Sequence, residues 1–406
     1  MSVATGIAKI TVVKSQTGLG VPAAGAGGQA LRRVTSIAKE TRATYENNEI
    51  VAHQQSTGVN LGTASTDWAF DGLLSPGTYS TLIAALVRKV FTATTPIAAA
   101  SLTIAGAAPS FTVTRGAGSY LGDGVKIGDV VRITAGTYVN PVNRDNNLLV
   151  TGVAALVLNV MTANGTVLIA EGPIATSTLT VIGKKALVPM SGHTDTLFTL
   201  EEWYSDLGKS ELFPDMRIGK ADIAIPASGN ATIKLASQGL GVRTLGDVQV
   251  LTTPTAATTA PVLTGVRGVL TVNGTQILTV TGVSFSIDGQ LTAEGPVVGS
   301  NFSPDMARGR IKVTGQFTGL FDSTTLSTLY HNETLTSLVA LMTADNTNNA
   351  DFVSFSMSAI KLTSDQPDDS EKAIIRTYAF TAQLNAAGGA ALASDQTIIS
   401  CQDSLA

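Results

Sequence analysis

Gly72–Ile83 (GLLSPGTYSTLI) lies on Gly319–Tyr330 (GLFDSTTLSTLY) without a gap, 247 residues further on, with six of twelve positions identical. Self-similarity at a fixed offset constrains a fold strongly, because each copy must form the same supersecondary unit. The surroundings match too. In both places an alternating stretch (67–70 and 311–317) runs into a Gly-Leu turn and an apolar helical pattern. Ser75 and Asp322 are the expected N-caps of the two helices, with Pro76 at the first helical position. Tyr79, Leu82, Ile83, Leu86, Val87 and Val90 fall on one helical face, and Arg88 and Lys89 in its last turn suit the helix dipole. Leu329 is the counterpart of Leu82. A long polar hairpin precedes each helix, roughly at 38–66 and 284–310. A strand, acidic turn and strand follow, at 211–238 and 350–384. Chance similarity in a chain biased to Thr, Ser and Leu is the competing explanation. The expectation is a tandem duplication, with one unit over 29–250 and the other over 266–406.

Composition narrows the class. Charged residues are 14% of the 406, against roughly 25% in an average domain. The chain is too apolar for disorder and lacks coiled-coil heptads. One cysteine, Cys401, excludes a disulfide scaffold and fits an inert thiol in a reducing compartment. A net charge of −4 argues against a protein that works by neutralising phosphates. What remains is a mainly β protein, rich in Thr and Val, whose sparse surface charge suggests cover by other subunits. Lys9 interrupts the N-terminal apolar stretch, so no signal peptide is read. The uncharged run 146–170 is long enough for a bilayer. Asn159 and the hairpin dipeptide Asn164-Gly165 make it soluble strands instead.

The texture changes along the chain. Residues 92–110 read as an Ala/Thr/Pro linker. Five short strands follow at Phe111–Thr114, Val130–Thr134, Leu148–Val150, Thr166–Ile169 and Thr178–Ile182, which is the pattern of an inserted all-β module. The expected organisation is an N-terminal arm over 1–28, a first domain over 29–95 and 188–250, the insert over 96–187, a linker over 251–265 and a second domain over 266–406.

No catalytic constellation emerges. His53, His193 and His331 have no metal spacing, and HExxH, CxxC, Walker and GxSxG motifs are absent. Gly18-Leu-Gly20-Val-Pro-Ala23 reads as a flexible arm rather than a dinucleotide turn. The loop Asp365–Glu371 lacks EF-hand spacing and reads as a solvated turn. Glu201 and Glu202, beside Trp203 and Tyr204, are expected to open a short helix. A glycosidase pair would need carboxylates facing them across a cleft. No cofactor is expected.

GQALRRVTSIAKETRATYENNEIVAHQQ (28–55), followed by LSPGTYSTLIAALVRKVF (74–91), resembles the tail tube proteins of long-tailed bacteriophages. GDGVKIGDVVRITAG (Gly122–Gly136) is similar to the small β-insert often found there. LFTLEEWYSDLGKSELFPDMRIGKADIAI (197–225), TGVSFSIDGQL (Thr281–Leu291) and RGRIKVTGQF (Arg308–Phe317) are similar to further segments of that family. The first 28 residues and the linker depart from it. The resemblance implies two tandem β-sandwich or barrel domains, each with a flanking helix, plus the outward-projecting insert. It implies a structural protein, not an enzyme, whose subunits form stacked rings around a channel for DNA ejection. With two tube domains per chain, three chains would make a pseudo-sixfold ring. Implied partners are further copies of the chain, tape measure, tail terminator and distal tail proteins, and double-stranded DNA in transit, with no membrane insertion. The implied location is the virion tail, after assembly in the host cytoplasm. A neutral or acidic lumen lets DNA slide, so Glu40, Glu46, Glu49, Asp288 and Glu294 on the two hairpins are candidates to line the channel. The competing reading gives them salt bridges with Lys39, Arg42, Arg308 or Arg310 at contacts between subunits or rings. A β-rich adhesion or carbohydrate-binding protein is the alternative function, although 5% aromatics is thin for a sugar cleft.

Overall fold

The computed structural model describes residues 3–53, 55–137, 140–369, 371, 373–386 and 396–406. Gln54, in the first family-like segment, and Ser370, in the acidic loop, lie outside these. The first half carries β1 (Lys9–Ser15), β2 (Gln29–Ala30), β3 (Thr35–Glu46), β4 (Val59–Leu73) and α1 (Ser80–Val87). An insert follows, with β5 (Ile97–Ala107), β6 (Ser110–Arg115), β7 (Val130–Ala135), β8 (Leu148–Val153), β9 (Val157–Thr162) and β10 (Glu171–Val181). The first half resumes with β11 (Lys184–Leu187), β12 (Phe198–Tyr204), β13 (Lys209–Pro226), β14 (Thr232–Gly239) and β15 (Thr244–Gly246). The second half has β16 (Gly268–Val272), β17 (Thr275–Gln276), β18 (Val280–Asp288), β19 (Leu291–Ala293), β20 (Met306–Arg308) and β21 (Lys312–Leu320). It ends with α2 (Thr325–His331), β22 (Thr336–Thr343), β23 (Phe352–Pro367), β24 (Ile375–Ala382) and β25 (Ser400–Asp403). The protein is mainly β, as the sequence leads one to expect.

The two halves share one strand order. The ladder β2-β1-β12-β13-β14-β4-β3 recurs as β17-β16-β22-β23-β24-β21-β18. The registers coincide residue by residue. Phe198 opposite Met216, then Leu200 opposite Phe213, becomes Thr336 opposite Ile360, then Leu338 opposite Met357. The bulge is the same, and β13 maps onto β23 with a shift of 144 residues. The second bulge of β13, at Gly219, falls on that of β23 at Thr363. Strands β3 and β4 map onto β18 and β21 with a shift of 247, which is the offset found in the sequence. The hairpin ends agree as well, since Glu46 opposite Val59 becomes Ala293 opposite Met306. Bulges are positional features that bend a strand. Their coincidence at two places is therefore a stringent sign of common architecture.

Each half is a two-layer sandwich. The long strand β13, like β23, crosses from one layer to the other at these bulges. One continuous core lies between the layers and through both halves, from Trp68, Phe70 and Leu82 to Phe285, Phe317 and Phe355. The halves join where Lys220–Pro226 of β13 pairs with Gly282–Asp288 of β18.

The insert is a closed barrel in the order β10-β5-β6-β9-β8-β7, with its own core around Phe111, Tyr120, Val131 and Leu148. Residues 97–107, expected within a linker, are its first strand. β9 replaces the expected strand at Thr166–Ile169, because the chain reverses at Ala154–Leu156 and Asn164-Gly165 only ends β9. The uncharged run 146–170 is thus barrel strand and loop. No helix among the described residues is long and apolar enough to cross a membrane. The barrel interrupts the first half but rests on the second. Val130, Leu149 and Met161 pack against Val269, Val339, Leu341 and Phe352. Gln402 of β25 accepts from the Val130 N–H at 2.8 Å and donates to the carbonyls of Val130 and Ile182.

The helix starts differ from expectation. Ser75-Pro76-Gly77-Thr78 is a turn with Gly77 at φ +70°, the type II signature, so α1 begins at Ser80, four residues later than expected, and neither Ser75 nor Pro76 caps it. Ser75 Oγ instead hydrogen-bonds Thr78 Oγ1 at 2.6 Å. Asp322 is exposed and Thr324 precedes α2, without a side-chain cap. Val90 lies beyond α1 and is exposed, because Arg88 turns into the left-handed region and ends the helix. Gly72 and Gly319 lie at the ends of strands β4 and β21 rather than in turns. A side chain at Gly72 would collide with the Tyr79 hydroxyl, which donates to the Arg32 carbonyl at 3.0 Å. Leu82 is buried in the core, whereas its counterpart Leu329 is only partly so.

Gly77 explains the SPGT turn. Its N–H donates to both carboxylate oxygens of Asp403, at 3.0 and 2.8 Å, and Leu405 N–H donates to the same group at 2.9 Å. The turn therefore clamps the C-terminal strand. Burial pushes the Asp403 carboxyl up to about 6 despite these donors. The folded chain then holds this proton more tightly than the unfolded one, whose carboxyl titrates near 4. The group contributes most stability below about pH 4, and that contribution declines as pH rises to about 6, by about 3 kcal/mol. Asp403→Asn is expected to flatten this part of a denaturation-midpoint profile. An unchanged slope between pH 4 and 6 would show that another group titrates there.

Candidate functional site

Eight strands run side by side across both halves in the order β3-β4-β14-β13-β18-β21-β24-β23. One face of this sheet is the core, through Trp68, Leu235, Ile223, Phe285, Phe317 and Phe380. Alternation puts polar and small residues on the other face. Aspartate alternates with lysine along its rows. Asp71, Lys234 and Asp222 are cross-strand neighbours in one row, and Lys220, Asp288 and Lys312 in the next. Lys39 stands opposite Asp67. These eight residues sum to no net charge. Opposite charges across a ladder stabilise modestly, so the pattern supports the sheet and leaves these rows without net charge. Lys220 and Asp222 pair directly at 3.0 Å. Ser284, Ser286, Thr314, Gln316 and Thr381 lie on the same face, as do exposed Ile37 and, opposite Thr381, Lys361, whose charge is paired with Glu333.

The sequence-selected residues scatter around this sheet. Lys39, Asp288 and Arg308 come together with Asp67 and Lys220 around an open hollow of about 980 Å³. Arg308 also donates to the Thr194 carbonyl and pairs with Asp195 at 3.2 Å. Glu40 lies on the opposite side of β3 and binds Arg42 at 2.5 Å. Glu46 and Glu49 are exposed at the end of the first hairpin, and Glu49 contacts Asn47. Glu294 is exposed just beyond β19, and Arg310 is exposed before β21.

Two carboxylates expected to open a short helix are buried in a strand instead. Glu201 and Glu202 lie within β12 and not in a helix, since β1 and β13 pair with it on both sides. Glu201 accepts Ser210 Oγ at 2.6 Å and the N–H groups of Val250 and Leu251 at 2.7 Å each. Glu202 pairs with Lys9 at 2.5 Å and accepts Ser36 Oγ at 2.8 Å, while Ser36 in turn accepts Trp68 Nε1 at 2.9 Å. This chain of contacts ties β1 and β12 of one layer to β3 and β4 of the other. Both carboxylates are fully engaged, so they serve the fold rather than a cleft. The N-terminal segment is likewise anchored. β1 belongs to the sheet, Gly20 N–H donates to Asp215 at 2.8 Å, and residues 25–30 bond 250–255.

Among the described residues no cluster of three or more His, Cys, Asp or Glu is placed to hold a metal ion. Burial pushes the Cys401 thiol up to about 12, which leaves it protonated and unreactive at neutral pH.

A comparison with curated proteins gives no match. A comparison with protein families matches residues 6–382 to the family described as phage tail tube protein. That span includes the first half, the barrel, the polar face and the second half up to the end of β24, and with it the chain belongs to the phage tail tube protein family.

Proposed function

We propose that three copies of this chain close into a ring whose channel wall is the neutral, polar face of the eight-stranded sheet, and that stacked rings form the conduit through which phage DNA leaves. The family is structural and not enzymatic, its place is the tail of the virion, and self-assembly into a tube is what it suggests. The observation that carries the ring is the repeated strand ladder, joined inside the chain at β13–β18. A sheet that can be continued at both ends closes when its rotation closes. Two tube units per chain then need three chains for six units. The domain division follows the one read from the sequence, except that β1 of the expected arm and β11 of the expected insert join the tube sheets, and the insert is seated on the layer away from the polar face and hence outside the tube. Of the five acidic candidates, Asp288 lies on the channel face.

Charge balance suits transit. Double-stranded DNA carries about one charge per 1.7 Å of axis, and an unbalanced basic wall would hold it by counterion release. A wall of paired lysine and aspartate offers no such trap. Tape measure, terminator and distal tail proteins are the expected further partners, and assembly in the host cytoplasm precedes incorporation into the virion. Electron cryomicroscopy of assembled tubes tests the stoichiometry. Three chains per ring with pseudo-sixfold symmetry is the expected result, and six chains per ring overturns it.

A further inference from the structure

The junction between the halves has an open counterpart. Within the chain, β13 carries β14 on one side of its C-terminal half and β18 on the other. In β23 the matching segment, Lys361–Pro367, pairs with β24. Its other side has no strand among the described residues. β18 pairs on both sides, with β13 and β21, whereas β3 pairs with β4 alone. Shifting β13 onto β23 by 144 and β18 back onto β3 by 247 specifies the missing register. Lys220 opposite Asp288 becomes Ser364 opposite Thr41, and Asp222 opposite Ser286 becomes Gln366 opposite Lys39. Asp365 then meets Glu40. Each already carries its own arginine, Arg376 at 2.7 Å and Arg42 at 2.5 Å, so the four charges alternate. Pro367 ends the ladder, as proline does at an edge.

A second observation points the same way. The hairpin β19–β20 folds onto the first half. Arg88 donates to the carbonyls of Gly289 and Gly309 at its base, and Arg217 pairs with Asp195 and with Asp305 of the hairpin. Met306 of β20 is 3% exposed. Among its described residues the counterpart hairpin, 44–53 and 55–61, has no such seat, and Val59, equivalent to Met306, is 56% exposed, with Leu61 at 66%. A matching seat exists on the second half. The pair Asp195–Arg217 recurs there as Glu333–Lys361. Beside it α2 buries no residue, where α1 buries five, and Tyr330 and Leu335 are 39% and 53% exposed. The apolar residues left uncovered on 44–61 and on the α2 side are those that their equivalents cover within the chain.

We propose that the contact between copies repeats the chain's own internal junction: β3 of one copy pairs antiparallel with β23 of the next, Lys39 opposite Gln366, and its hairpin 44–61 lies on α2 beside Glu333 and Lys361. This rests on the ring reading above and adds its register.

Disulfide trapping tests it, and the wholly buried Cys401 leaves a clean background. Lys39→Cys combined with Gln366→Cys places the two Cβ atoms about 5 Å apart across the interface. Oxidation of assembled rings is expected to give covalent species of up to three chains. The control pair, Lys39→Cys with Lys361→Cys, is five residues out of register, about 17 Å, and is expected not to link. Rings visible by negative-stain microscopy without the 39–366 link, or with equal linking in the control, overturn the register and leave the ring reading standing. Absence of rings from the native protein overturns both. Val59→Asp, at a site exposed in the single chain, is expected to keep the native melting temperature and lose rings. Rings formed by that variant at the native protein concentration overturn the hairpin contact.

Discussion

Tubes built from chains carrying Asp71→Lys, Asp222→Lys and Asp288→Lys are expected to retain duplex DNA that the proposed native conduit lets pass, and to release it as salt rises. The three substitutions change the eight counted charges of the polar face from neutral to +6 per chain. If about six phosphates are contacted, affinity falls roughly 10³-fold between 50 and 200 mM salt, because each contact contributes about −0.9 to the log–log slope. The positions are on the polar face, where like charges opposite one another cost a few tenths to about 1 kcal/mol each. Assembly therefore survives, and the triple asparagine variant gives an intermediate charge. Co-sedimentation of DNA with tubes across a salt series measures the effect. Equal retention by native and triple-lysine tubes would mean that this face does not line the channel.

Glu201→Ala lowers stability by about 3–5 kcal/mol. The substitution removes one acceptor group that serves a hydroxyl and two backbone N–H groups. Each donor left buried without a partner costs about 1–3 kcal/mol, and part of the loss is recovered where water reaches the Val250 end. Because residues 250–255 hold the N-terminal segment 25–30, the same variant is expected to open both to protease. Glu201→Gln keeps one acceptor oxygen and should lose about half as much. Chemical denaturation measures the midpoint, and a change below 1 kcal/mol would show that the network is dispensable.

The repeat was legible because helix-side residues and short turns kept their identities, and its offset of 247 recurs in the pairing of β3 and β4 with that of β18 and β21. The rest of the duplication was not legible. Shifts of 138 in β12, 143 in β14 and 144 in β13 differ from 247 because the barrel lies between β4 and β12. Core strands also preserve alternation rather than residue type. Glu201 and Glu202 were misread as a helix start because adjacent acids signal a dipole cap only where no partner strand covers them. The SPGT segment satisfied two rules at once, helix cap and type II turn, and the contact with Asp403, 326 residues away, decides for the turn. The charge balance of the polar face was invisible because its pairs lie on different strands, and only register makes Asp71, Lys234 and Asp222 neighbours.

β25 is the shortest strand to hold so many partners, four residues near the end of the described chain. It pairs with β11 and β23, its Gln402 locks the barrel, and its Asp403 receives the SPGT turn. One four-residue strand is thus a keystone shared by three distant parts of the chain, so releasing it would loosen the turn before α1, the barrel seat and the β11 edge together.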